Sequence, residues 1–177
     1  TSFIGKIGAD QQGKFMIEAL QEAGIQTSGI KVEKEAGTGT AAIMLDQRGQ
    51  NSIIVYGGAN SHLTAADVQA AASQIATADF AVAQFETPQA ATLEAFKIAK
   101  QNGVTTILNP APAGQLAPEL LSLTDIIIPN ESESQQLTGI AITDLTSLEK
   151  STAKFASWGI ACSIITLGEN GVFYSFK

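Results

Sequence analysis

The eight residues Ile126-Ile127-Ile128-Pro129-Asn130-Glu131-Ser132-Glu133 join a short apolar run to a polar turn. Three consecutive β-branched residues are typical of a parallel strand that is buried on both faces. Pro129 lacks a backbone donor and therefore ends the strand. In an open α/β sheet, ligands bind at the carboxyl ends of the strands, so the polar residues after Pro129 are candidates for a binding site.

Two interpretations of these polar residues are open. In the first, the Asn130 amide donates to phosphate oxygens, while Glu131 and Glu133 hold Mg²⁺ directly or through its waters. In the second, Asn130 is the N-cap of a helix, and the two acids interact with the positive end of the helix dipole. The interpretations are compatible, because a helix N-terminus also attracts anions.

Length and charge limit the classes of protein to which the chain can belong. A chain of 177 residues can bury a core as one domain, or as one domain with a small appendage. Its net charge of −7 argues against nucleic acid or an anionic membrane as the main partner. No apolar run is long enough to span a bilayer, and a single cysteine, Cys162, excludes an internal disulfide framework. We therefore expect a cytoplasmic protein.

Strand and helix patterns alternate along the chain. Predicted strands, each a short apolar or β-branched run, are residues 1–7, 80–84, 104–108, 126–128, 162–167 and 172–176. Predicted helices are residues 11–23, 64–76, 130–138 and 148–158, with another that opens at Thr87-Pro88 and closes at Gly103. This alternation predicts an α/β fold, a three-layer αβα sandwich around a mostly parallel central sheet.

Residues 40–45 and 51–56 differ from the other predicted strands. They flank Asp46-Gln47-Arg48-Gly49, a hairpin signal, and are apolar on both faces, where a solvated hairpin would alternate. We expect a small β lid, with one face over a ligand pocket and the other against a second subunit. The alternative places them as central strands of the main sheet. The lid interpretation divides the chain into a lid, residues 37–60, and an α/β core, residues 1–36 and 61–177.

Residues 8–15 nearly form a phosphate-binding P-loop. The match fails at Phe15, because a P-loop needs a hydroxyl at that position to bind Mg²⁺. The spacing of Gly5, Gly8 and Gly13 also departs from the dinucleotide-binding fingerprint, which argues against a dehydrogenase.

Two further strand ends carry candidate site residues. Glu86 could accept hydrogen bonds from sugar hydroxyls, or lie near the N-terminus of the following helix. The turn Thr166-Leu167-Gly168-Glu169-Asn170-Gly171 could bring backbone N–H groups close to phosphate or ribose, although plain hairpins use the same residues. His62 and Cys162 support no metal or nucleophile assignment.

Five segments carry a resemblance to a known family. In chain order they are Gly58-Ala59-Asn60, Gln84-Phe85-Glu86, Asn109-Pro110-Ala111-Pro112-Ala113, Pro129-Asn130-Glu131-Ser132-Glu133 and Ile165-Thr166-Leu167-Gly168. Together they resemble the ribokinase family of carbohydrate kinases. The resemblance implies transfer of the γ-phosphoryl group of ATP to a sugar hydroxymethyl, most simply D-ribose to ribose 5-phosphate.

The resemblance also implies a role for each candidate residue. Glu86 matches the carboxylate that binds the sugar, Asn130 the asparagine near the phosphates, and Glu133 the acid that organises Mg²⁺, largely through water. Residues 166–171 match a segment that lines the nucleotide site, and the hairpin matches a lid that also clasps a homodimer. Ser132 stands where threonine is usual and keeps the hydroxyl.

Other family features are not found in these residues. The glycine-rich sugar motif would precede Thr1, and the motif with the anion hole and the catalytic aspartate would follow Lys177, as would the loops that bind a monovalent cation. We therefore assign no catalytic base here and expect no turnover from these residues alone. A sister kinase for another sugar or a nucleoside, and a non-catalytic, dimeric sugar- or nucleotide-binding module, are the alternatives.

Overall fold

The computed structural model describes residues 1–176, which form two compact units. Thr1–Ala71 and Glu86–Pro88 make up the first unit, and Ala72–Phe85 with residues 89–176 make up the second. The hairpin belongs to the first unit. The division into an α/β core and a lid of residues 37–60 stays a prediction.

The first unit contains four strands and two α-helices. Its elements are β1 (Ser2–Gly8), α1 (Gln11–Glu22), β2 (Gln26–Glu33), β3 (Thr40–Leu45), β4 (Asn51–Tyr56), a 3-10 helix (Gly58–His62) and α2 (Ala65–Ala70). β1 and β2 are a parallel pair. Asp10 caps α1 by accepting a hydrogen bond from the Gly13 N–H at 2.8 Å, and Gly24 follows the helix with a left-handed φ of 73°.

The hairpin is present with the predicted strand boundaries. β3 and β4 pair in antiparallel register, with Ile43 opposite Ile53, and the Asp46 carboxylate closes the turn by accepting from the N–H groups of Arg48 and Gln50. Among the described residues these strands pair only with each other, so their placement in the main sheet is wrong. All twelve strand residues are exposed, and both apolar faces are uncovered within the described chain.

The second unit contains a five-stranded sheet and five α-helices. The strands are β5 (Phe80–Ala83), β6 (Thr105–Leu108), β7 (Ile126–Ile127), β8 (Cys162–Thr166) and β9 (Val172–Phe176), in that spatial order. The helices are α3 (Ala72–Ala76), α4 (Gln89–Gln101), α5 (Pro118–Ser122), α6 (Glu131–Thr138) and α7 (Leu145–Ser157). β5 to β8 are parallel and β9 is antiparallel, which confirms an α/β fold with a mostly parallel sheet.

Several helix boundaries differ from the predictions. The predicted helix at 64–76 is divided at Ala71, where the backbone leaves helical geometry, although Thr64 and Asp67 form the expected N-terminal cap in a reciprocal capping box. The helix predicted to open at Thr87-Pro88 begins at Gln89. α7 begins three residues earlier than predicted, because Asp144 forms a capping box with Ser147.

Two apolar clusters stabilise the second unit. One joins β7 and β8 to α7 and consists of Ile127, Leu148, Phe155, Ile160 and Ile165; the other consists of Phe96, Leu108 and Leu120. The sheet strands supply the centre of both clusters, so the core fixes where the carboxyl ends of β6, β7 and β8 lie.

A pair of buried hydroxyl groups joins α6 to α7. The Ser134 and Ser151 oxygens are 2.6 Å apart, and both residues are fully buried. We expect Ser151→Ala to lower the free energy of unfolding by about 1–3 kcal/mol, because the Ser134 hydroxyl loses its buried partner. The double variant with Ser134→Ala should recover most of this loss, since neither polar group remains. Urea unfolding followed by Trp158 fluorescence measures both; a double variant as unstable as the sum of its parts would contradict the expectation.

Candidate functional site

A capping box organises the start of α6, directly after β7. The Asn130 Oδ1 atom accepts from the Glu133 N–H and from the Ser132 hydroxyl, each at 2.8 Å, while Glu133 Oε2 accepts from the Asn130 N–H at 2.8 Å. The helix-cap interpretation is therefore correct. These bonds leave two atoms outside the capping box: the Asn130 amide nitrogen, a donor, and Glu133 Oε1, an acceptor.

The turn after β8 begins beside Asn130. Asn130 and Thr166 form a parallel β-bridge, and the Thr166 N–H donates to the Pro129 carbonyl at 2.9 Å. Residues 168–170 then form a 3-10 turn, closed where the Leu167 N–H donates to the Gly171 carbonyl at 2.8 Å. The structure thus brings the start of this predicted nucleotide segment next to Asn130, as expected for neighbouring parallel strands.

The open side of this turn is accessible. Gly168 to Gly171 are exposed, and Gly168 and Gly171 have positive φ values of 56° and 87°. No described atom lies within 4 Å of the position that a Cβ would occupy at either glycine. A ligand can therefore approach the backbone of the turn closely.

Glu86 lies three residues beyond the end of β5. The preceding Phe85 donates its N–H to the Ala111 carbonyl at 3.0 Å, beside the Asn109–Ala113 loop that follows β6. Glu86 itself is exposed and belongs to the first unit. Its convergence with Asn130 and Glu133 on one ligand therefore stays a prediction.

The carboxylate oxygens in the first turn of α6 suit a metal ion that is held mainly by phosphate and water. Within residues 1–176, no three His, Cys, Asp or Glu side chains gather into a group that could hold a metal ion by themselves. Mg²⁺ in phosphoryl-transfer sites commonly takes one or two carboxylates, several waters and substrate phosphates. Glu133, with Oε1 outside the capping box and Glu131 nearby in the same first turn, fits that arrangement.

Sequence reasoning missed a second polar network, around Asp10. This carboxylate accepts from the Thr38 hydroxyl at 2.5 Å, from the Thr38 N–H at 2.7 Å and from the Gly13 N–H at 2.8 Å. The Thr38 hydroxyl bond is the main reason that the pKa of Asp10 is lowered. A Cβ at Gly8 would lie 2.4 Å from the Thr38 nitrogen, so only glycine fits there. The sequence signals this network only through the glycine spacing of residues 8–15, which resembles a phosphate loop.

Two short segments connect the hairpin to the first unit. We call residues 34–39 the outgoing arm and residues 57–62 the return arm. They contact each other directly, because the Ala59 N–H donates to the Gly37 carbonyl at 2.8 Å and Ala59 is fully buried. Gly58 has a φ of 48°, and a Cβ there would lie 2.4 Å from the Gly37 oxygen, so the packing of the arms depends on glycine.

None of the helices in the described residues has the length and apolar character needed to cross a bilayer. The best-defined candidate site of the second unit is the sheet edge with Asn130, Glu133 and Thr166. Its residue types suit an anion and a metal ion.

Known proteins similar to this chain include ribokinases. The chain is 49% identical to the ribokinase of Staphylococcus aureus over 177 residues, which cover all of this chain and 58% of that protein. It is 45% identical to the ribokinase of Haemophilus influenzae over 176 residues, or 99% of this chain and 58% of that protein. The structure of Arabidopsis thaliana ribokinase complexed with ribose and ATP matches with a TM-score of 0.88 and 30% identity, covering 100% of this chain and 58% of that one.

The chain thus spans a little over half the length of these relatives. The family model described as pfkB family carbohydrate kinase matches residues 1–177. This chain belongs to the pfkB family of carbohydrate kinases.

Proposed function

We propose that the protein that carries this chain is an ATP-dependent sugar kinase that converts D-ribose to ribose 5-phosphate. The observation that carries the proposal is the adjacency of Asn130, Glu133 and Thr166 at one sheet edge, in a chain 49% identical to a ribokinase. Phosphoryl transfer depends chiefly on positioning and on neutralising charge, which are the properties that such an edge supplies.

Each residue of the edge has a proposed role in holding the triphosphate. The Asn130 amide nitrogen donates to a phosphate oxygen, at the positive end of α6. Glu133 keeps Oε2 in the capping box and directs Oε1 toward the waters of Mg²⁺. The metal, when bound, neutralises the charge that develops between the outer phosphates. Residues 166–171 line the nucleotide, which approaches the exposed side of the turn at Gly168 and Gly171.

The first unit supplies the proposed sugar contacts. Glu86, an exposed carboxylate, accepts hydrogen bonds from sugar hydroxyl groups. The hairpin acts as a lid over the sugar with one face, and joins a homodimer with the other. Both proposals rest on its two uncovered apolar faces, which a solvated hairpin would not have.

We assign no catalytic base among residues 1–177. The base, the anion hole and a monovalent-cation site are proposed to come from residues outside them, and the protein is proposed to act in the cytoplasm. Without a base, phosphoryl transfer loses a contribution that is typically about 10²–10⁴-fold.

A sugar panel tests the proposed function. The full-length protein, ATP and Mg²⁺ are assayed with ribose, deoxyribose, other sugars and nucleosides, and the phosphorylated products are identified by mass spectrometry. We expect the highest kcat/KM with ribose, and no measurable turnover from residues 1–177 alone. A higher kcat/KM for another substrate identifies a sister kinase, whereas sugar or nucleotide binding without turnover in the full-length protein supports a binding module.

A further inference from the structure

Four ionisable side chains of the first unit form a connected network at the base of the hairpin. Lys6 on β1 lies 3.7 Å from Glu33 at the end of β2 and 3.1 Å from Asp67 on α2. His62, the last residue of the return arm, places Nδ1 3.5 Å from Glu33 Oε2. The network therefore joins β1, β2, α2 and the return arm.

Glu33 contacts both arms of the hairpin at once. Its Oε1 atom accepts from the N–H groups of Lys34 and Glu35, at 2.8 Å and 3.1 Å, which begin the outgoing arm. Its Oε2 atom faces His62 on the return arm and the Lys6 ammonium. One carboxylate thus connects the residues that lead into the hairpin with those that lead out of it.

Most of this network is shielded from solvent. The side chains of Lys6, Glu33 and Asp67 are 14%, 17% and 20% exposed, while His62 is 46% exposed. Hydrogen bonds from the outgoing arm, chiefly the Glu35 N–H, lower the pKa of Glu33. Burial of Asp67 would raise its pKa, but hydrogen bonds from Thr64 and Lys6 more than offset this. Both carboxylates therefore stay charged near neutral pH.

We propose that Glu33 is a positioning residue that holds the two hairpin arms together, through the N–H groups of the outgoing arm and His62 of the return arm. The consequence for sugar binding rests on the proposed function, in which the hairpin covers the sugar. A hairpin whose arms are held loosely spends less time in the covering position, so the affinity for sugar falls while the chemical step is unchanged.

Hydrogen exchange tests the link without any activity measurement. In the full-length protein at neutral pH, we expect Glu33→Gln to speed hydrogen exchange at the amides of residues 59–63 about threefold. His62→Ala should also speed exchange at these amides, because it removes the contact between Glu33 and the return arm. Glu35→Gln is the matched control, because it makes the same charge change at an exposed neighbour on the same arm.

Kinetics then test the consequence for the sugar. Glu33→Gln should raise the KM for ribose about threefold to tenfold with kcat within about twofold, while Glu35→Gln leaves both unchanged. Equal behaviour of these two variants in exchange and in KM would overturn the proposal. If Glu33→Gln fails to fold, exchange and KM in His62→Ala decide, since His62 is half exposed. A wild type that does not phosphorylate ribose overturns the proposed function but leaves the exchange test intact.

Discussion

Replacing Glu133 with glutamine is expected to lower kcat for sugar phosphorylation about 100-fold to 1,000-fold. The reason is that Glu133 Oε1 is proposed to hold the waters of Mg²⁺, and the loss of one preorganised charge at a developing transition state typically costs this much. The sugar KM should stay within about threefold, because the proposed sugar contacts come from the first unit. The apparent affinity for Mg²⁺ should fall in the same variant. Steady-state assays of the full-length protein at varied Mg²⁺ measure all three quantities.

The same substitution separates a metal-binding role from a capping role. Glutamine can accept the Asn130 N–H as glutamate does, so the capping box and the free energy of unfolding should be nearly unchanged. Asp144→Asn is the matched control, because it replaces a carboxylate with an amide in the capping box of α7. We expect kcat within about twofold for this control. If Glu133→Gln also retains kcat, the role of Glu133 is confined to the helix cap.

Most elements of the fold could be predicted because their signals are local. Ile126–Ile127 is a β-branched run that ends at a proline, and Thr64 with Asp67 shows a capping pattern within four residues. β2 was missed because Gln26–Glu33 is largely polar, and its pairing with β1 is a tertiary contact. α5 was missed because Pro118–Ser122 is only five residues long, which is too short for a clear helical period.

The candidate sites also divide into those with a local sequence signal and those that depend on tertiary contacts. The adjacency of Asn130 and Thr166 could be expected, since parallel neighbouring strands end at one edge of the sheet. The bond between Asp10 and Thr38 spans 28 residues. It connects two loops whose approach depends on how α1, β2 and the hairpin arms pack. No short sequence pattern encodes such a contact, and the charged network around Glu33 escapes sequence reasoning for the same reason.

Two aspartates on one face of the hairpin are expected to dissociate a dimer of the full-length protein. Met44 and Ile54 lie on the same face, because Ile54 pairs with Ala42, two residues from Met44. If this face packs against a second subunit, Met44→Asp with Ile54→Asp buries two unpaired carboxylates, each at a cost of several kcal/mol. The dimer dissociation constant should then rise at least about 1,000-fold. Sedimentation analysis over a range of protein concentrations measures it.

The opposite face provides the matched pair, Ile43→Asp with Ile53→Asp, since these residues are directly paired. If one face clasps the partner and the other covers the sugar, one double variant should become monomeric. The other should remain dimeric and raise the ribose KM about tenfold or more. All four residues are exposed within the described chain. Each substitution should therefore change the free energy of unfolding of a monomer by no more than about 0.5 kcal/mol. A dimer that survives both double variants would show that the hairpin is not the clasp.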